Sequence, residues 1–335
     1  SEAEKWLQMA ATESDKLMTS GRYEIYNTGH PQEDYFNMYR IDDKSDLKEA
    51  VLYVDYKTNI REHNMAAAGR EAGCGFSKSF VESFLCSDGL PISLSNKYLG
   101  DETMRKETAN RDPRLKQLIL TNDFPTNVTD DLKDSTFVVN EDEFITQHCF
   151  TGYRPIKGFN PIYSQALYMK SSFDGIAYRY AETLLINAEA KAELNTITNA
   201  DLDRTVNQLR DRVGMPHLTV NVGFTDPKWP DWGYSLSPVL QEIRRERCIE
   251  LAGEGFRFND LKRWKAGKLL NNVLTYVGKR KPDGNLAIVY PNYTNPDLSY
   301  QAGKSRTWED KMYLYPIPTG ELQRNPQLLP QNPGW

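Results

Sequence analysis

The chain has 335 residues, which is enough for a sizeable buried core and about two domains of ordinary size. Charged residues make up 26% of the sequence and the formal net charge is -5, with lysine and arginine dispersed. This argues against nucleic acid or an anionic membrane surface as the main partner, because both require a clustered basic face. No run approaches the ~20 apolar residues that span a bilayer, and the first residues do not resemble a secretion signal.

The first half of the chain predicts few regular elements. Apolar residues at helical spacing predict a helix over 2–20, and a Val- and Tyr-rich run predicts a strand over 50–56. A short helix is expected over 77–86. From there to about residue 175 the composition is mostly that of loops, with short strand candidates at 117–120 and 136–139. A loop-rich region of this length usually has a functional use.

The second half predicts two helical hairpins, at about 178–214 and 237–267. In the first hairpin Tyr180, Leu184 and Ala188 form one apolar stripe, and its second helix is expected to run unbroken to Gly214. Ser237 precedes a proline and is a favourable N-cap for the second hairpin. Two hairpins of this size suggest tetratricopeptide-like units, although the strict consensus is absent.

The reactive side chains lack the spacing of a metal or redox site. The four cysteines form no CxxC pair and the four histidines form no HExxH motif, so we expect no metal ion and no cofactor. Cys248 falls inside a helical pattern and is expected to be a small buried residue. Aromatic residues reach 11%, including 19 tyrosines, which suits either a carbohydrate- or peptide-binding surface or helix packing in a large core.

Several sequence motifs together resemble the SusD/RagB family of outer-membrane nutrient-binding lipoproteins. The RYAETLLINAEA run at 179–190 is similar to one family helix, and VNQLRDRVG at 206–214 to another. The IRRERCIELAGEGFRFNDLKRW run at 243–264, NRDPRL at 110–115 and the closing YLYPIPTGEL…NPQL…QNPGW at 313–335 also match family patterns. Five motifs in the family's order make a specific resemblance.

The resemblance implies a mainly α fold in which tetratricopeptide-like hairpins support a loop-rich ligand side, here about 50–175. It also implies non-catalytic binding of glycans, or of peptides in some members, and delivery to a TonB-dependent SusC-like transporter. Family members are lipid-anchored at the outer membrane on the cell surface, through an N-terminal cysteine that this chain lacks. We therefore expect residues 1–335 to be such a domain without its N-terminal part.

Seven residues are candidates for ligand contact. Arg61, His63 and Asn64 follow a strand on the loop-rich side and could hydrogen-bond hydroxyl or carboxylate groups. Aromatic side chains that could stack on a sugar are Phe76, Tyr98, Trp229 and Trp232, of which the two tryptophans lie in a proline-rich loop. For each, the alternative is an ordinary structural role in loop stabilisation or hairpin packing.

A charged set along the second hairpin resembles catalytic machinery at first sight: Glu246, Arg247, Glu250, Arg257, Asp260 and Arg263. Paired carboxylates are typical of glycoside hydrolases, which makes hydrolysis by Glu246 and Glu250 an alternative function. The interleaved arginines favour a structural ion-pair network instead, because carboxylates paired with arginine stay ionised. A third hypothesis is a scaffold whose hairpins bind only a protein partner.

Overall fold

The computed structural model describes residues 1–65, 75–146, 148–288 and 307–335. Within these ranges the chain is mainly helical, as predicted. The α-helices, numbered in chain order, are α1 Glu2–Thr19, α2 Asp34–Asn37, α3 Lys78–Ser83, α4 Met104–Thr108, α5 Arg114–Leu118, α6 Tyr163–Ala166, α7 Tyr180–Glu193, α8 Asn199–Asp203, α9 Val206–Arg212, α10 Pro238–Glu250, α11 Arg257–Arg263 and α12 Thr319–Arg324. None of these helices has the length and apolarity needed to cross a membrane.

The described strands are short and pair into three antiparallel two-stranded ribbons, β1 with β4, β2 with β3 and β5 with β6. Their bounds are β1 Ala50–Val54, β2 Pro125–Val128, β3 Ser135–Phe137, β4 Gly175–Arg179, β5 Val277–Arg280 and β6 Leu286–Ile288. The β1–β4 ribbon joins segments that lie more than a hundred residues apart in sequence, with Ala50 opposite Arg179. It therefore ties the start of the loop-rich side to the first hairpin.

The predicted first helix is present as α1. The Ser1 hydroxyl caps this helix by accepting a hydrogen bond from the Glu4 N–H. The Glu4 carboxylate in turn accepts a hydrogen bond from the Ser1 backbone nitrogen. The helix packs against α7 through Asn187, whose amide donates to the Ala11 carbonyl and to the Ser14 hydroxyl, both at 3.0 Å. These contacts fix α1 against the hairpin helices.

Two sequence predictions near the first hairpin are wrong in detail. Tyr178 and Arg179 end strand β4 rather than begin a helix, because they pair with β1. The helix expected to run unbroken to Gly214 is interrupted between α8 and α9 at Thr205, whose φ of -130° and ψ of -98° are not helical. The Thr205 hydroxyl donates to the Asp201 carbonyl at 2.6 Å, which competes with the helical backbone pattern.

Two other predictions also differ from the structure. A strand is expected over 117–120, but residues 117 and 118 are the end of helix α5. This helix follows Pro113 and buries Leu115 and Leu118 completely. Cys248 is half-buried rather than buried. The predicted N-cap Ser237 is confirmed, since its side chain accepts from the Leu240 N–H.

The main apolar core consists of two clusters. One lies in the loop-rich half and contains Tyr35, Phe84 and Leu118, together with Ile249 from α10. The other lies among the hairpin helices, with Leu184, Leu209 and Ile243 at its centre. Since α10 contributes to both clusters, it connects the helical scaffold to the loop-rich side.

Candidate ligand-binding surface

Two loops that are distant in sequence lie side by side and form one surface. We call residues 57–65 and 163–172 the paired loops. His63 and Ser171 exchange two backbone hydrogen bonds, at 2.9 and 3.1 Å. The Thr58 hydroxyl donates to the Ser172 hydroxyl at 3.1 Å. These contacts bring a predicted segment, 57–65, next to one that sequence reasoning did not single out.

His63 is part of this surface, but its ring is engaged in structural contacts. The Met65 N–H donates to Nδ1 at 3.0 Å, so Nε2 carries the proton and donates to the Phe173 carbonyl at 2.8 Å. The ring packs edge-on between Tyr56 and Phe173, at centroid distances of 4.5 and 4.6 Å. Partial burial lowers the pKa of His63, which keeps the imidazole neutral. Its hydrogen-bonding capacity is therefore used within the protein.

Arg61 and Asn64 lie on the same surface in different settings. Arg61 is exposed and its guanidinium carbon lies 4.9 Å from the Tyr56 ring centroid. The side-chain oxygen of half-buried Asn64 accepts from the Met169 N–H at 3.2 Å. Arg61 can thus offer donors directly, whereas Asn64 bonds the two loops together.

The paired loops also expose aromatic and apolar side chains that the sequence analysis missed. Tyr168 is 78% exposed, the highest value for an aromatic residue in the described chain, and Tyr163 is 54% exposed. Ile60, Met65 and Met169 are also exposed. Apolar side chains clustered on one surface mark interaction sites more often than scattered ones do. The sequence signal for them was the pair of tyrosines, Tyr163 and Tyr168, inside a loop-rich segment.

A shallow cavity continues this surface between β2 and α6. It has a volume of about 240 Å³ and is lined by Asn127, Tyr163, Ala166 and Leu167. Its walls combine one amide with an aromatic ring and aliphatic groups, and small-molecule sites are commonly lined in this way, by apolar side chains with a few polar groups. A second cavity of about 480 Å³ lies elsewhere, between the turn at Ile145 and the β5–β6 ribbon.

Two further aromatic candidates, Phe76 and Tyr98, make no contact with the paired loops that the structure shows. Phe76 stacks on Phe80 at 4.4 Å and packs against the core of the loop-rich half. Tyr98 is half-buried with the Arg111 guanidinium carbon 5.3 Å from its ring centroid, and burial raises the pKa of its hydroxyl. Both have the kind of packing role that was the alternative to ligand contact.

The two loop tryptophans behave differently from an exposed pair. Trp232 is only 7% exposed and packs edge-on against Trp264 at 5.7 Å, so the expectation of an exposed stacking ring is wrong for this residue. Its large apolar area is better satisfied in the hairpin junction than in water. Trp229 is half-buried, and its indole N–H donates to Glu242 at 3.0 Å.

Five of the six residues in the charged set along the second hairpin belong to two ion-pair clusters, and Arg257 belongs to neither. We call the first the central charge cluster, and its members are Arg114, Lys157, Arg179, Arg210, Arg212, Glu49, Asp112, Glu246, Glu250 and Glu254. The second contains Arg244, Arg247, Arg263, Glu182, Glu189, Glu193 and Asp260. Arg257 is exposed and forms no ion pair with a described residue; it lies 5.9 Å from the Trp264 ring centroid.

Glu250 lies at the centre of the first cluster and has no exposed surface. Burial alone would raise the pKa of its carboxyl group. Arg212, Arg179 and Arg114 outweigh that effect and hold the pKa well below its usual range. A fully buried carboxylate that three guanidinium groups hold in its ionised form is poorly suited to donate a proton to a glycosidic oxygen. The described residues also contain no group of three or more His, Cys, Asp or Glu side chains arranged to hold a metal ion.

Comparison with known proteins decides the family. A model of the SusD family matches residues 15–335. The chain belongs to the SusD family. Among curated relatives, a SusD-like protein P2 from Formosa agariphila is 33% identical over 166 residues, which is 50% of this chain and 27% of that protein.

Solved structures support the same fold. A SusD-like protein from Bacteroides fragilis superimposes with a TM-score of 0.70 at 25% identity, covering 99% of this chain and 62% of the other. A SusD-like carbohydrate-binding protein from the same species gives a TM-score of 0.67 at 22% identity, covering 98% of this chain and 62% of the other. The chain thus spans less than two thirds of the length of these SusD-family proteins.

Proposed function

We propose that this SusD-family protein binds oligosaccharides without acting on them and that the paired loops are its contact surface. The proposal is carried mainly by Tyr168, an exposed aromatic ring that directly follows Leu167 of the shallow cavity in sequence. The face of such a ring stacks on the apolar C–H face of a pyranose, while Arg61 can donate to hydroxyl groups. A structural neighbour described as carbohydrate-binding supports this reading.

The binding is expected to be modest in strength. Covering about 60 Å² of ring face at roughly 25 cal/mol per Å² contributes about 1.5 kcal/mol. A few such contacts, reduced by the cost of ordering the partners, give dissociation constants of roughly micromolar to millimolar. Removing one stacking ring should therefore weaken binding about tenfold.

The test is isothermal titration of the intact protein against a panel of glycans and peptides, followed by Tyr168→Ala. We expect a glycan to bind, and Tyr168→Ala to weaken that binding about tenfold because the ring face is lost. Tyr178→Ala is the matched control, since Tyr178 is also a well-exposed tyrosine, 56%, but lies on β4 outside the paired loops. Binding of peptides alone would favour the peptide-binding alternative. No binding to any ligand would contradict a capture role.

We further propose that the bound glycan is delivered to a SusC-like TonB-dependent transporter, with the intact protein lipid-anchored at the outer membrane. Family membership supports this role. Co-purification of the protein with such a transporter from native membranes, alongside the ligand titration, tests it. A transporter complex that forms while no glycan binds would favour the scaffold hypothesis instead.

A further inference from the structure

The turn that presents Tyr168 contains an unfavourable backbone conformation. Met169 follows Tyr168 directly and has a φ of 55°, in the left-handed region. Side chains other than those of glycine, asparagine and aspartate rarely adopt this region, because Cβ crowds the neighbouring carbonyl oxygen. Strain of this kind persists only where surrounding contacts hold it, and it is common at binding sites.

Several hydrogen bonds hold the residues around this turn: the Ser171 hydroxyl donates to the Gln165 carbonyl at 2.8 Å, and the Ser172 N–H donates to the Gln165 side-chain oxygen at 3.2 Å. Within the turn, the Lys170 N–H donates to the Leu167 carbonyl at 3.2 Å. The ion pair between Lys170 and Glu62, at 3.1 Å, has a lysine that is 51% exposed and contributes little in water. The bond from the Met169 N–H to the Asn64 side-chain oxygen is the contact that acts on the strained residue itself.

The direction of this hydrogen bond requires a side chain at position 64 that can accept from the Met169 N–H. An N–H group only donates, so the carboxamide must turn its oxygen, not its nitrogen, towards Met169. Asn64 is half-buried and follows His63, whose two backbone bonds to Ser171 fix it against the second loop. The solvent-exposed hydrogen bond from Met169 to Asn64 thus joins the turn to a segment 105 residues away in sequence.

We propose that Asn64 is a positioning residue for ligand binding, which rests on the function proposed above. Its side-chain oxygen holds Met169 in the left-handed conformation and so fixes the direction in which Tyr168 presents its ring. A ring that is already oriented loses less conformational freedom when the ligand binds, which raises affinity. Without Asn64, Met169 relaxes to a negative φ and Tyr168 samples other directions.

A double-mutant cycle separates this role from direct contact between Asn64 and the ligand. Asn64→Ala should weaken glycan binding roughly three- to tenfold, the effect of losing one net hydrogen bond. Met169→Gly makes the left-handed conformation favourable without help. In the Met169→Gly background the further change Asn64→Ala should therefore cost less than about twofold. Asn64→Asp keeps an acceptor for the Met169 N–H, so in its ligand-free crystal structure Met169 should retain a positive φ.

Crystal structures of the ligand-free variants supply a readout that does not depend on glycan binding. In Asn64→Ala we expect the φ of Met169 to become negative and Tyr168 to change direction, with the rest of the fold intact. The proposal is overturned if Met169 keeps its positive φ, or if Asn64→Ala costs the same affinity in both backgrounds. If no glycan binds the wild type at all, the function fails, while the crystal structures still decide whether Asn64 holds the turn.

Discussion

Glu250→Gln tests whether the central charge cluster is structural or catalytic. Glu250 is fully buried, and its two oxygens accept bonds from Arg212, both at 2.6 Å. Arg179 donates to it at 2.6 Å and Arg114 at 2.9 Å. Glutamine has nearly the same shape, but it removes the negative charge and turns an amide N–H₂ towards groups that are themselves only donors.

The size of the effect follows from the charge balance. The cluster holds five cations and five carboxylates, so the wild-type charges cancel within the protein. Removing one member of a buried pair leaves an uncompensated charge and costs about 3–5 kcal/mol. For 335 residues the unfolding entropy near the melting temperature is roughly 0.7 kcal/mol per kelvin, so a 4 kcal/mol loss lowers Tm by about 6 °C.

Calorimetry and urea unfolding measure this loss directly. Glu13→Gln on α1 is the matched control, because Glu13 also accepts from a cation, Lys16 at 2.7 Å, but is 59% exposed. Its removal should change stability by less than about 1 kcal/mol. A Glu250→Gln protein with the Tm of the wild type would refute the structural account. Hydrolysis of a glycan by the wild type that disappears in this variant would support the hydrolase alternative.

Two further predictions concern burial and pH. Trp232→Ala should lower the free energy of unfolding by about 3–5 kcal/mol, measured by calorimetry, because the ring packs against Trp264 in the hairpin junction. The glycan affinity should stay unchanged. Lower affinity with unchanged stability would contradict this packing role. Burial would raise the pKa of Glu254, but Arg179 and Lys157 lower that pKa to about 2. The ionised Glu254 therefore contributes roughly 3 kcal/mol to the free energy of unfolding above pH 4.5. This contribution disappears as the pH falls towards 2. Melting curves between pH 2 and 7 should show a shallower acid loss for Glu254→Gln than for the wild type, and equal slopes would refute the assignment.

The fold class was predictable because the signals for the helices are local. Apolar spacing and caps such as Ser237 depend on neighbours a few residues away, and the order of the family motifs fixed the overall scaffold. The errors arose where a distant partner decides the structure. Tyr178 reads as the start of a helix until β1 is known to pair with it. The break at Thr205 is a local exception: its hydroxyl donates to the Asp201 carbonyl only four residues earlier, and apolar spacing does not indicate such a bond.

The candidate site was only half predictable for the same reason, and the missed half changes what the site is expected to do. Sequence reasoning identified His63 as a hydrogen-bonding group, but its two ring nitrogens are occupied by Met65 and Phe173. Ser171, which pairs with His63 through a backbone bridge, belongs to the loop that carries the exposed ring of Tyr168. A polar side chain can be assigned to ligand binding only after its hydrogen bonds to other parts of the protein have been counted. Under the function proposed above, we then expect aromatic stacking to be the main source of affinity on this surface, and the polar groups between the loops to orient the ring.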